Sequence, residues 1–142
     1  MTRSPSQIAL SQQPASPSRA EARAAARLDE DSRRTAVAAA RAALEKKADA
    51  VVVLDLRGVS GYTDFLVIGS GTSDRQMEAI ADGVEKELTA QGHRVIGSEG
   101  QRGGRWVLLD FGDVVVHVFH ADDRAHYDLE GLWADAPRIE VE

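Results

Sequence analysis

Apolar residues fall along this chain in two rhythms. VVVLDL (51–56) and FLVIGS (65–70) are short unbroken runs rich in β-branched and aromatic residues, so each predicts a largely buried strand. RVIG (94–97) predicts a short third strand, and a flexible glycine-rich loop follows over 98–104. RWVLLD (105–110) and VVVHVFH (114–120) predict an antiparallel pair, because Phe111, Gly112 and Asp113 suit a three-residue hairpin loop with the glycine left-handed. In the second of these, Val114, Val116, Val118 and His120 share one face, while Val115, His117 and Phe119 share the other.

The second rhythm is helical. Val37, Ala40, Leu44 and Ala48 recur at helical spacing over Thr35–Ala48. Met77, Ile80, Ala81, Val84 and Leu88 line one face of a helix from Asp74 to about Gln91, stopped by Gly92. Ser73 and Gln76 form a capping box at its start. Between Asp122 and Trp133 the spacing of Tyr127, Leu129 and Trp133 predicts one or two short helical turns laid over the sheet. The order of elements predicts an α/β domain: a mixed five-stranded sheet with helices packed on it, in which 65–97 forms a right-handed parallel crossover.

Composition sets the boundaries. Residues 1–18 are mostly Ser, Gln, Pro and Ala, and 20–34 offer only Leu28 to bury. The expectation is therefore a disordered extension over 1–34, a domain over 35–136 and a short acidic tail over 137–142. A hydrophobic share of 43% is enough for one core. No cysteine is present, which removes disulfides, thiolate nucleophiles and cysteine-based zinc sites. No run of 18 apolar residues and no secretory apolar core occurs, so a cytoplasmic protein is expected. The net charge of −6 is unevenly spread: residues 1–34 carry six arginines against four acids, and 35–142 carry eleven basic against nineteen acidic side chains. An acidic domain repels phosphate backbones and attracts basic proteins.

The chemistry on offer is thin. The turn GSGTSD (69–74) opens a helix and could hold a phosphate, but Asp74 stands where a dinucleotide fingerprint needs glycine, and no Walker lysine follows. Gly69-Ser70 resembles the turn of nucleotidyltransferases, yet no paired carboxylates follow it to hold two metals. His117 and His120 point to opposite faces of a strand and cannot share one metal, leaving only a conceivable set of His120, His126 and Asp113. Tyr62, Trp106, Tyr127 and Trp133 suit either a core or an interface anchor.

Three stretches, DLRGVSGYTDFLVIGSGTSDRQ (55–76), RWVLLDFGDVVVHVF (105–119) and YDLEGLW (127–133), together resemble the ribosomal silencing factor family, also called Iojap, over about residues 35–136. The resemblance implies a nucleotidyltransferase-like fold without catalytic residues, without a cofactor and without enzyme activity. It further implies a translation repressor that binds the large ribosomal subunit through its fourteenth protein, blocks joining of the small subunit when nutrients are scarce, and forms a homodimer when free. Neither a membrane nor sequence-specific nucleic acid is an implied partner. The family pattern falls on Tyr62, Thr63, Asp64, Trp106, Asp110, His117, Phe119, Tyr127, Leu129 and Trp133, which are the candidate partner-binding residues. Phe65-Leu66 stands where relatives usually have two aromatics.

Overall fold

The structure, a computed structural model, describes residues 16, 18–59, 61–100 and 105–141. Its centre is the pairing of two strands that are apolar on both faces. β2 (Phe65–Gly71) is buried throughout, and β5 (Val114–His120) is buried except at its last residue. They run parallel, with Leu66 opposite Val115 and Ile68 opposite His117. β1 (Asp49–Asp55) adds antiparallel to β2, and β4 (Trp106–Asp110) adds antiparallel to β5. β3 (Gly97–Glu99) and β6 (Arg138–Ile139) form the edges, giving the order β3-β4-β5-β2-β1-β6.

Among the described residues, six strands therefore replace the expected five. The additional strand, β6, lies in the segment expected to be a tail. It has two residues, too few to show a pattern, and it is introduced by Pro137, whose carbonyl accepts from Asp55 N at 2.8 Å. The third strand begins at Gly97 rather than Arg94, because β4 ends at Asp110, opposite Gly97, and leaves residues 94–95 nothing to pair with. The crossover after β2 consequently ends on β3, which is parallel in direction but three places away in the sheet. The β4–β5 turn is as expected, with Gly112 at φ +90°.

Two long helices cover one face. α1 (Arg19–Glu45) begins sixteen residues before its expected start, capped by Ser18, whose hydroxyl accepts from Glu21 N at 3.1 Å. Residues 19–34 are thus helical where disorder was expected. The disorder expected for 1–18 lies outside the described residues, apart from Ser16 and Ser18. α1 packs through Ala36, Ala39, Ala40, Ala42 and Ala43, whereas Val37 and Leu44 of the expected stripe are only half-buried. Alanine brings the helix axis close to the sheet, so the flanking larger side chains sit at the margins. α2 (Asp74–Ala90) buries the expected Met77, Ile80, Ala81, Val84 and Leu88.

The opposite face carries Leu54, Leu56, Leu66, Ile68, Val115 and Phe119, with Trp106, Leu108, Leu129 and Trp133 partly buried against them. Its cover is lighter: α3 (Ala121–Tyr127) and α4 (Leu129–Leu132), joined by Asp128 in the left-handed region at φ +43°. These are the short helical turns read from the sequence.

Candidate functional site

Period-two alternation puts Trp106, Leu108 and Asp110 of β4 on this lightly covered face, and all three are half-buried. Behind them on β5 stand Phe119, His117 and Val115 in register. Trp106 is the hub: its ring lies 5.2 Å from that of Phe119, 4.6 Å from Tyr127 and 5.6 Å from His117. Tyr127 stacks on Phe119 at 5.4 Å and remains 42% exposed. Such offset contacts hold the aromatic side chains in fixed orientations before anything binds.

The indole N–H of Trp106 donates to His117 Nδ1 at 2.9 Å. An indole can only donate, so Nδ1 accepts and the ring proton sits on Nε2. His117 is 4% exposed, and burial pushes its pKa down to about 4, so the cluster is uncharged at neutral pH.

The loop between β1 and β2 meets the far end of this column. Thr63 is buried and donates from Oγ1 to Gly112 O at 3.0 Å, pinning the loop to the β4–β5 turn. Asp64 accepts from Ser32 Oγ of α1 at 3.3 Å, and its backbone N–H donates to Asp113 O at 3.1 Å. Thr63 and Asp64 thus spend their side chains inside the protein, while their neighbour Tyr62 is 55% exposed. Partial burial and the negative charge of Asp110 raise the Tyr62 pKa above its ordinary value. Asp110 itself accepts from Gly112 N at 2.8 Å, closing the turn.

Nine of the ten candidates gather at one face, and Asp64 turns its side chain to α1 on the other. Tyr62, Trp106, Asp110 and Tyr127 are the accessible members of that group, His117 and Phe119 lie beneath, Leu129 and Trp133 flank them, and Thr63 and Asp64 hold the loop. Leu108 and Arg124 escaped the sequence reading. Leu108 was findable, since alternation places it between Trp106 and Asp110. Arg124 was not, because two of its three partners, Asp49 and Ser70, lie far along the chain. Its guanidinium donates to Ser70 Oγ at 2.7 Å, Asp49 O at 3.3 Å and Glu130 Oε1 at 2.8 Å, tying the short helices to β1 and β2.

The glycine turn is committed internally. Ser70 is 2% exposed and held by Arg124. Thr72 N donates to Gln76 Oε1 at 2.8 Å, and Gln76 N donates to Ser73 Oγ at 3.1 Å. Gly71 is closely packed, since a Cβ there would lie 3.0 Å from Met77 Cγ and 3.3 Å from Met77 N and would press on the start of α2. Among the described residues no group of three or more His, Asp or Glu side chains is placed to hold a metal ion, and no helix is long and apolar enough to cross a membrane.

Fold and surface define a small α/β domain that presents a preorganised aromatic face. Residues 29–142 match the model of the family described as ribosomal silencing factor during starvation. The chain is 50% identical over 98 residues to ribosomal silencing factor RsfS of Halalkalibacterium halodurans, covering 69% of this chain and 84% of that protein. It is 37% identical over 106 residues to the chloroplastic protein Iojap of Zea mays, covering 75% of this chain and 46% of that one. A crystal structure of a protein from Chromobacterium violaceum superposes with a TM-score of 0.70 at 35% identity, covering 72% of this chain and 85% of that one. The chain belongs to the ribosomal silencing factor family, which includes Iojap.

Proposed function

We propose that this protein represses translation by docking on the large ribosomal subunit through that subunit's fourteenth protein, where its bulk keeps the small subunit from joining when nutrients are scarce. The observation that carries the reading, beyond family membership, is the half-exposed column Trp106, Leu108 and Asp110, flanked by Tyr62 and Tyr127. Rigid aromatic anchors beside acidic groups suit a basic protein surface. The eight-unit negative charge of residues 35–142 would speed the encounter with such a surface. In this reading the protein works in the cytoplasm, dimerises when free, needs no cofactor and catalyses nothing. The absence of catalysis is supported by the capture of Ser70 by Arg124 and by the turn amides bonded to Gln76 and Ser73.

The test is sedimentation of purified subunits with the full chain and with Tyr62→Ala/Asp110→Asn. The asparagine keeps the oxygen that caps Gly112 and removes only the charge. Loss of an anchor of this kind costs about 2 kcal/mol, roughly thirtyfold in affinity. The variant is expected to release large subunits and restore subunit joining. A folded variant that binds and blocks as well as the parent refutes the assignment of this face. Saturable binding of a nucleotide with a divalent metal refutes the non-catalytic reading.

A further inference from the structure

We infer that the projecting N-terminal half of α1 is an arginine arm that grips RNA phosphates beside the docking site; the inference rests on the large-subunit reading above. Arg19, Arg23, Arg27, Arg34 and Arg41 are all exposed and are spaced by four, four, seven and seven residues. At 100° per residue they fall within an arc of about 80°, forming one continuous stripe. The stripe faces away from the buried side of α1, which holds Ser32, Ala36, Ala39 and Ala43. The acids on or beside it are Glu30 and Glu45, together with Asp31, which pairs with Arg34 at 3.5 Å. Arg33 lies off it.

The placement of the arm matters as much as its charge. No residue of α1 before Ser32 is buried, and Asp29 is the last to border the domain, lining a groove with Arg57, Val59 and Pro137, so Arg19–Leu28 extends about 15 Å beyond that contact. It leaves at the loop that carries Tyr62, where Ser32 bonds Asp64. A domain seated through Tyr62 and β4 thus extends a line of guanidinium groups across whatever borders its partner protein. On a ribosomal subunit that border is RNA, and arginine forks take phosphate oxygens two at a time.

A membrane is a poorer occupant, because Leu28 is the single large apolar side chain in the projecting part and no apolar face exists to insert. The acidic domain repels RNA at long range, so the arm acts only after docking has raised the local phosphate concentration. The contact is with the backbone and carries no sequence preference.

The experiment compares the full chain with Arg19→Gln/Arg23→Gln/Arg27→Gln for binding to large subunits between 50 and 200 mM salt. Loss of three phosphate contacts lowers the slope of log affinity against log salt by about 2 to 3, so the parent should lose roughly fifteen- to sixtyfold more affinity over that range. The corresponding triple lysine variant should restore the slope. A photo-crosslinker at Ala26 should label RNA. An unchanged slope, or labelling of protein in place of RNA, overturns the arm's role while leaving the docking reading intact. If the parent itself fails to bind large subunits, both readings fall.

Discussion

The neutral histidine beneath the docking face makes acid stability a measurable property of that face. His117 has its pKa depressed from an ordinary 6.5 to about 4, because burial disfavours the imidazolium. Between those values the unfolded chain takes up a proton that the folded chain refuses. Stability is therefore fully present above pH 6.5 and falls as pH drops toward 4, where protonation at Nδ1 would also break the bond from Trp106. A fall from 6.5 to about 4 corresponds to about 3 kcal/mol, or roughly 10–15 °C in melting temperature for a domain of this size. The assay is urea unfolding followed by tryptophan fluorescence from pH 7.5 to 4, on the parent and on His117→Gln. Asp55 has its pKa lowered, chiefly by its hydrogen bond from Arg57, so its contribution is lost only below its ordinary value of 3.8, outside this window. The subtraction of the variant removes every other group that titrates. Parent and variant curves that fall in parallel between pH 6.5 and 4 would refute the claim that His117 is held neutral by burial.

Three further outcomes are expected. Arg124→Met leaves Ser70 without its guanidinium partner and Glu130 with only the longer ion pair to Arg138 at 3.8 Å, and should cost about 2 kcal/mol, seen as a lower urea midpoint, with Ser70→Ala milder. Gly100→Ala drives a Cβ into the carbonyl oxygen of Trp106 on a residue at φ +79°, so a loss of more than about 2 kcal/mol is expected, since backbone must move. Deleting residues 1–28 should leave the melting temperature within about 2 °C, whereas deleting 1–34 removes the Ser32–Asp64 bond and should lower it by several degrees.

Elements with a long, one-sided or fully apolar pattern were legible in the sequence. α2 buries the five residues its spacing names, and β2 and β5 are enclosed on both faces as their unbroken apolar runs imply. What escaped were elements with little or nothing apolar to display. The first half of α1 buries nothing, so hydrophobic periodicity could not reveal it, although Ser18 and Glu21 carry the start of a capping signal. β6 is held by its neighbour β1, a property of register rather than of its own two residues. Within the site, alternation along β4 and β5 was readable, but the division of labour in the loop was not. Thr63 and Asp64 look as polar as any recognition residue until their partners on the hairpin and α1 are known.

The single parallel seam at the centre of the sheet has a kinetic consequence. β1 with β2 and β4 with β5 are antiparallel neighbours in sequence, and each pair can form early over a short loop. The β2–β5 junction must wait until the whole stretch from Thr72 to Asp113 has been gathered in, so that loop closure dominates the barrier. Truncations across the seam, such as Val67→Ala or Val116→Ala, should slow refolding in stopped-flow, while truncations at the outer edge, such as Ile139→Ala, should chiefly hasten unfolding. The strands that define the centre of the native sheet in this way meet after the antiparallel pairs to which they belong and before the β6 edge closes on β1.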